Sequence, residues 1–164
     1  MIERPGHFGI RIVTWREEAA SIRAVREAVF VREQGIPERL EWDGLDPECI
    51  HVLAEDRRLR PVGTGRLAPG GRIGRMAVLA GWRGRGVGTG LLEMLLRAAG
   101  EAGHGQVYLH AQLPVRAFYA RHGFRCEGPP FREAGIEHVR MARGLALPLH
   151  GRLPPPDPNG RIPR

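Results

Sequence analysis

The hydrophobic and polar positions along this chain change repeatedly between strand and helix periodicity. Apolar residues recur at helical spacing between Ile22 and Phe30, which predicts a helix over about residues 17–32. Shorter apolar or alternating runs bounded by turn residues predict strands. These strands are expected at residues 10–15, 50–55, 62–67, 72–78, 106–111, 124–126 and 137–142.

Two further helices are expected in the second half of the chain. An apolar stripe that starts at Leu91 predicts a helix to Ala102, and Pro114 is a favourable first residue for a helix that ends at His122. Pro69-Gly70-Gly71 predicts a hairpin turn, whereas residues 38–48 are acidic and irregular. The expected order of elements is therefore β-α-β-β-β-α-β-α-β-β.

The domain organisation is simple at this length. A chain of 164 residues suits one domain, which we place at residues 8–144. Residues 145–164 hold six prolines and little apolar periodicity, which predicts a flexible tail.

The most informative segment is the glycine-rich run at residues 81–90, GWRGRGVGTG, which leads directly into a helix. The first N–H groups of a helix lack intrahelical partners, and the helix dipole favours negative charge there. Glycine allows the backbone to approach a phosphate closely, and Arg83 and Arg85 add forked positive donors. The segment therefore predicts a site for a phosphorylated cofactor.

Two common phosphate-binding patterns do not fit this segment. A P-loop ends in Gly-Lys-Ser/Thr, and the chain contains no lysine. A G-x-G-x-x-G dinucleotide pattern that starts at Gly84 or Gly86 reaches Thr89 or Leu91 instead of a third glycine. The pattern that fits is R-x-x-G-x-G, formed by Arg83, Gly86 and Gly88, although an ordinary glycine-rich turn before a helix is an alternative explanation of this stretch.

Taken with the order of elements, this pattern resembles the pyrophosphate loop of the GNAT superfamily of acyl-CoA N-acyltransferases. The run AFYARHGF at 117–124 is similar to the family's FYxxxGF signature, and Met76-Ala77-Val78 to the strand that pairs with the pantetheine arm. Several other runs resemble the ElaA-like branch. They are FVREQGIP at 30–37, WDGLD at 42–46, VGTGRL at 62–67, LHAQ at 109–112 and EAGIEH at 133–138.

The resemblance implies an α/β (α+β) GNAT fold with acetyl-CoA as co-substrate. Its central sheet is expected to be mixed, mostly antiparallel, with about six to seven strands, flanked by helices and splayed between strands 4 and 5. The implied activity is an acyl-CoA-dependent N-acetyltransferase that passes an acetyl group directly to a primary amine. The cofactor-binding residues implied are Met76, Ala77, Val78, Arg83, Gly84, Arg85, Gly86, Val87, Gly88 and Thr89.

Tyr119 is implied to be the general acid, because the family places this tyrosine near the thioester sulfur. A phenol with an ordinary pKa of about 10 stays protonated at neutral pH and can donate to the leaving thiolate. The alternative is a core aromatic, since Val115, Phe118, Tyr119 and His122 share one helical stripe.

His110 is the candidate general base. On the strand 106–111, Tyr108 and His110 face one way and Val107, Leu109 and Ala111 the other, so His110 can look into the splay. Imidazole titrates near neutral pH and can take a proton directly or through water. A histidine held by core hydrogen bonds is the alternative.

Candidates for the acceptor side are Glu33, Asp43, Asp46 and His138, with Glu133 beside the last hairpin. Carboxylates there can attract a cationic amine, and a solvated acidic loop is the competing interpretation. The acceptor is expected to be a small-molecule amine or a peptide N-terminus, and a homodimer stays open.

Composition narrows the remaining classes. We expect no membrane partner, because no apolar run approaches a membrane span, and no secretory leader. Two cysteines suggest free thiols in a reducing cytoplasm, and His51, His110 and Cys49 lack metal-ligand spacing, so no metal is expected. The net charge of +7 comes from 25 arginines scattered among acids, which does not favour nucleic acid. A basic nucleic-acid-binding protein and a non-catalytic acyl-CoA sensor remain the alternatives.

Overall fold

The structure is a computed structural model that describes residues 6–146. Within this range the chain forms seven strands and four α-helices. Their bounds are β1 Phe8–Val13, α1 Trp15–Arg26, α2 Glu38–Glu41, β2 Ile50–Asp56, β3 Pro61–Leu67, β4 Ile73–Val78, α3 Val87–Glu101, β5 Gln106–Gln112, α4 Arg116–Arg121, β6 Arg125–Glu133 and β7 Ile136–Gly144.

The strands form two antiparallel sheets. The first has the order β1-β2-β3-β4 and the second the order β5-β7-β6. One parallel bridge between Arg72 and Tyr108 joins them, and beyond this bridge β4 and β5 separate. The expected mostly antiparallel arrangement of about six to seven strands, with a splay between strands 4 and 5, is therefore confirmed, and the expected central sheet consists of two sheets of four and three strands.

Helices α1 and α3 cover opposite faces of the first sheet. Successive side chains of a strand point to opposite faces. On β2, Val52 and Ala54 join the core beneath α3, whereas Leu53 packs with Val13 and Ile22 on the α1 side. The same α3 core contains Val107, Leu109 and Ala111 of β5, so side chains connect the two sheets under α3.

Two glycines of β3 allow α3 to lie unusually close to the sheet. A Cβ at Gly65 would lie 2.9 Å from Leu95 Cδ1, and a Cβ at Gly63 would lie 3.0 Å from Leu91 Cδ1. A side chain at either position would force the leucine side chains of α3 to shift from where they now pack.

Strand β4 contains a β-bulge in the segment that follows its bridge to β5. Arg75 and Met76 of β4 both lie opposite Gly65 of β3, because Thr64 pairs with Ala77 and Arg66 with Gly74. Arg75 has a φ of 52°, the left-handed conformation that a non-glycine residue adopts at an energetic cost. A bulge bends its strand and increases the local twist, which turns β4 away from β5.

Three expected elements differ in detail from the structure. The helix predicted over residues 17–32 starts at Trp15 and continues after Arg26 as a π-helix over Glu27–Glu33. Pro114 lies in a 3-10 turn, Leu113–Val115, that precedes α4. The strand expected at 124–126 is much longer, because β6 passes through Gly128, Pro129 and Pro130 with a register shift.

The acidic stretch at residues 38–48 is partly ordered into α2 and a 3-10 turn, Asp46–Glu48. The expected tail begins where β7 ends, and residues 147–164 of it lie outside the described residues. Within residues 6–146 the structure contains no helix with the length and apolar character to cross a bilayer.

Candidate active site

A cavity of about 890 Å³, here called the central cavity, opens where the two sheets separate. The π-helix, β4, the glycine-rich loop, β5 and α4 all contribute to its wall. The candidate site residues that line it are Glu33, Met76, Ala77, Val78, Arg83, Gly84, Gly86, Val87, Gly88, Thr89, His110, Tyr119 and His138. The residues expected to bind the cofactor and those expected to bind the acceptor therefore line the same cavity, although they come from both halves of the chain.

The glycine-rich loop presents the N-terminus of α3 to the central cavity. Gly84 and Gly86 have φ values of 72° and 85°, and Gly86 is the residue before the first turn of α3. No side chain caps this end, and its first turn carries no acidic residue. The first N–H groups of α3 are therefore available to an anion in the cavity.

Backbone geometry also places a donor from β4 at the open edge. Leu79 N donates to Val62 O across the first sheet, at 2.9 Å. Hydrogen-bonded and non-hydrogen-bonded pairs alternate along an antiparallel ladder. The N–H of the neighbouring Val78 consequently points away from β3, toward the central cavity.

The two loop arginines have different surroundings. Arg83 donates to both oxygens of Glu33 at 2.8 Å, and its Nε donates to Val78 O at 3.0 Å. Arg85 is absent from the lining of the central cavity, and its guanidinium lies over the Trp82 ring at 5.2 Å. Glu33, expected on the acceptor side, is thus paired with a residue expected on the cofactor side.

Tyr119 is buried, and its side chain lies at the wall of the central cavity. The side chain packs against Phe118 and Phe124 at ring distances of 5.1 and 5.8 Å. The hydroxyl makes no hydrogen bond within residues 6–146, and Tyr119 is among the residues that line the central cavity. Burial raises the pKa of Tyr119 to about 12, which keeps the phenol protonated.

His110 lies on the other side of the cavity between two opposite charges. Its Nδ1 is 3.1 Å from Arg72 Nη2 and 3.3 Å from each carboxylate oxygen of Glu133. Burial and the nearby Arg72 charge lower the pKa of His110, while the hydrogen bond with Glu133 opposes that shift. The face predicted for His110 on β5 therefore leads to the cavity. The sequence carries no signal for its contact with Arg72.

His138 and a pair of amides complete this side of the cavity. His138 Nδ1 donates to Ile136 O at 2.7 Å, and its Nε2 lies 3.9 Å from Glu133. Gln112 at the end of β5 donates to Gln34 Oε1 at 2.9 Å. The amide pair connects the second sheet to the segment after the π-helix, across the gap between the sheets.

Asp43 and Asp46 belong to a cluster of three acids and three arginines, in which Asp46 is buried and Asp43 is exposed. Arg66 contacts both aspartates, and Arg26 donates to Asp46 at 2.6 Å. Burial opposes the ionisation of Asp43 and Asp46, but hydrogen bonds from the arginines outweigh it and lower both pKa values. These two acids, expected to attract an amine, are instead paired with arginines, and neither is among the residues that line the cavity.

Glu41 and Arg75 belong to this cluster and also form part of the wall of the central cavity. Arg26 Nε donates to Glu41 Oε1 at 2.6 Å, and Arg75 Nε lies 3.4 Å from Glu41 Oε2. Both Glu41 and Arg75 line the central cavity, although neither was a candidate from the sequence. Within residues 6–146, no group of three or more His, Cys, Asp or Glu side chains is arranged to hold a metal ion.

The fold and these segments match a known class of proteins. A family model described as an acetyltransferase (GNAT) domain matches residues 18–145. YjcF of Bacillus subtilis, named as an uncharacterized N-acetyltransferase, is 38% identical over 123 residues, which cover 73% of this chain and 87% of YjcF. The chain belongs to the GNAT acetyltransferase family, as its sequence motifs led us to expect.

Solved structures agree with this assignment. An acyl-CoA N-acyltransferase from Pseudomonas aeruginosa superposes with a TM-score of 0.75 and 30% identity, over 84% of this chain and 100% of that chain. Escherichia coli ElaA superposes with a TM-score of 0.74 and 26% identity, over 84% of this chain and 99% of that chain.

Proposed function

We propose that the protein transfers an acetyl group from acetyl-CoA to a primary amine by direct attack, with Tyr119 as general acid. The observation that carries the proposal is that Tyr119 lines the central cavity and that its hydroxyl has no hydrogen-bond partner within residues 6–146. The same cavity is bounded by the open N-terminus of α3. One space can therefore hold both the anionic end of the cofactor and its reacting thioester.

In this reaction a neutral amine attacks the thioester carbonyl and forms a C–N bond. The carbonyl oxygen gains negative charge, which the Val78 N–H is directed to stabilise. The C–S bond then breaks, and the leaving thiolate takes a hydrogen bond or a proton from Tyr119. The attacking nitrogen loses one proton as the amide forms and the sulfur gains one, so a neutral amine gives the N-acetylated amine and the free thiol. An acceptor that arrives as an ammonium must release one further proton before it can attack.

His110 is our proposed base for that proton. Its ring lines the central cavity and lies beside Glu133, which is also close to His138. The lowered pKa of His110 keeps the ring neutral at physiological pH, which is the form that accepts a proton. The proposal specifies only that the acceptor is an amine. A small molecule and a peptide N-terminus both satisfy it.

A cytoplasmic location is part of the proposal. Cys49 is buried and Cys126 is exposed, and both are free thiols. Unpaired cysteines are typical of a reducing compartment.

The experiment is a screen of amines with detection of thiol release from acetyl-CoA. We expect turnover with at least one amine and no release without an acceptor. CoA binding by calorimetry with no turnover for any amine would favour the sensor alternative. A steeply salt-dependent gel shift without CoA binding would favour nucleic acid instead.

A further inference from the structure

The contacts around His110 bring together two hydrogen bonds that cannot form at the same time. Arg72 only donates, so a bond from Arg72 to Nδ1 requires a lone pair on Nδ1. Ionised Glu133 only accepts, so a bond to Glu133 requires a proton on Nδ1. The distances are 3.1 Å to Arg72 and 3.3 Å to Glu133, so both partners are within reach of the same nitrogen.

The choice between these two bonds decides what the other ring nitrogen can do. A neutral imidazole carries one proton. If Nδ1–H donates to Glu133, Nε2 has a lone pair and can accept a proton. If Nδ1 accepts from Arg72, Nε2 carries the hydrogen and His110 cannot act as a base.

The Nε2 atom of His110 faces open space. It makes no hydrogen bond within residues 6–146, and it is not among the fully buried polar atoms that lack a partner. His110 lines the central cavity, and the Phe131 ring packs edge-on against it at 4.9 Å. The ring is thus held with Nδ1 toward the charged pair and Nε2 toward the cavity.

We propose that Glu133 is a positioning residue that holds His110 in the form protonated on Nδ1, and that Arg72 opposes it by favouring the other form. In the reaction, an N–H bond of the incoming ammonium breaks and an Nε2–H bond forms. The positive charge passes to the imidazolium, next to the Glu133 carboxylate. This proton transfer, unlike the choice of the protonated ring nitrogen, rests on the proposed function.

Arg72 Nη2 also lies 3.4 Å from Glu133 Oε1, and two further charged groups lie near this site. His138 on β7 lies 3.9 Å from Glu133 and is directed by its own bond to Ile136 O. Arg140 pairs with His110 in the β5–β7 register, but its guanidinium lies 4.0 Å from the centre of the Tyr108 ring. Neither group hydrogen-bonds His110 within the described part of the chain.

The first test uses nitrogen-15 NMR of histidine-labelled protein, with the His110 signals assigned by their loss in His110→Ala. We expect the Nδ1–H form in the wild type and the Nε2–H form in Glu133→Ala. The pKa of His110 should fall in Glu133→Ala and rise in Arg72→Ala. Glu137→Ala removes an equal charge at an exposed position on β7 and should leave the pKa of His110 unchanged. A wild-type ring protonated on Nε2, or shifts of the same sign in both variants, would overturn the proposal.

The second test is the pH profile of kcat/KM with an amine found by the screen. The acid limb should move to lower pH in Glu133→Ala, with a plateau reduced about 10²–10⁴-fold, the range typical of losing a general base. It should move to higher pH in Arg72→Ala, and neither change should alter the profile in a His110→Ala background. A purely structural role cannot produce opposite shifts.

The two tests separate the inference from the proposed function. If wild type turns over and the Glu133→Ala profile superimposes on it, the positioning role is wrong and acetyl transfer stands. If the NMR shifts appear as expected but no amine gives thiol release, acetyl transfer is wrong. The control of the His110 ring by Glu133 and Arg72 then still stands.

Discussion

Arg83 and Glu33 are joined by two hydrogen bonds of 2.8 Å, although they are 50 residues apart in the chain. The pair connects the loop before α3 to the last residue of the π-helix. Both side chains are more than two-fifths exposed, so the pair itself contributes little to stability. We expect the pair to matter through the electrostatic environment of a bound cofactor, because Glu33 neutralises the positive charge of Arg83.

We predict opposite effects of the two partners on CoA affinity. Glu33→Gln removes an anion from the cavity and frees Arg83, so binding should tighten about 2–5-fold, the scale of an exposed ion pair. Arg83→Gln should weaken binding by a similar factor. Calorimetry with CoA measures both, and Glu27→Gln on the same π-helix is the control of equal charge. Weaker binding by Glu33→Gln would mean that the pair serves to hold the loop in place.

The glycine loop allows a test that separates ligand contact from backbone strain. A Cβ at Gly88 would lie 3.6 Å from the Phe118 ring, an ordinary contact, and Gly88 has no positive φ. Gly88→Ala should therefore weaken CoA binding at least about 10-fold without lowering stability, because it obstructs the approach of phosphate and not the fold. Gly86→Ala should cost about 1–2 kcal/mol of stability as well, because its φ is 85°.

Gly100→Ala in the last turn of α3 is the matched control for these loop variants. Its Cβ meets nothing within 4 Å, and it should raise the free energy of unfolding by about 0.5–1 kcal/mol with unchanged CoA affinity. Gly88→Ala with wild-type affinity in calorimetry would contradict the loop assignment.

Tyr119→Phe should damage the chemical step alone. Because the hydroxyl makes no hydrogen bond within residues 6–146, its loss should change neither the melting temperature nor the Kd for CoA. We expect kcat to fall about 10²–10⁴-fold. The other tyrosine of the chain supplies the control, since Tyr108→Phe makes the same chemical change on β5. Equal kcat for Tyr119→Phe and wild type, with chemistry rate-limiting, would refute the acid role.

Arg26 is fully buried and bridges two acids, which predicts a large loss of stability when it is replaced. Its bonds to Glu41 and Asp46 are both 2.6 Å. Arg26→Met removes one of the two arginines that contact each of these acids and leaves their charge only partly compensated, so it should cost about 3–5 kcal/mol, measured by urea unfolding. Arg16→Met, an exposed change on the same helix, should stay within about 0.5 kcal/mol. An equal loss of unfolding free energy in both variants would show that the cluster contributes no more to stability than an exposed arginine does.

The two aspartates of this cluster predict that acid destabilises the protein, whereas burial raises the pKa of Glu41, whose contribution has the opposite sign. The pKa values of Asp43 and Asp46 are lowered in the folded state, so the unfolded chain binds more protons below about pH 4. Their contribution is therefore present above that pH and is lost as the pH falls toward the folded values. Burial also lowers the pKa of His51, so the decline should begin below about pH 6.5.

Urea unfolding between pH 7 and pH 3 measures this dependence. Asp46→Asn should be less stable at pH 7 and should show a shallower decline than wild type. Equal slopes for the two proteins would contradict the link to this cluster.

The sequence predicted the elements whose signals are local. Strand alternation on β2 and β5, the hairpin turn at Pro69, and the glycine-rich entry to α3 each depend on neighbouring residues alone. The side of β5 that carries His110 followed from the two-residue period of a strand. The family resemblance then supplied the splay that turns this side into a cavity wall.

What the sequence did not predict depends on contacts between distant segments. The run Gly128-Pro129-Pro130 indicates a break, but a register shift against β7 accommodates it inside β6. The acids at Asp43 and Asp46 look like an open acidic loop, because their partners come from α1, β3 and β4. Burial of those arginines is a property of the assembled fold and leaves no pattern in the local sequence.

The joining of the sheets by side chains has a consequence for how this cavity varies between related proteins. Paired strands are held about 4.8 Å apart by backbone hydrogen bonds, a spacing that sequence cannot adjust. Between β4 and β5 that constraint ends at the Arg72–Tyr108 bridge, and the core under α3 sets the separation. The width of the cavity can therefore be altered in steps of one methyl group, by exchanges such as leucine for valine far from any reacting atom.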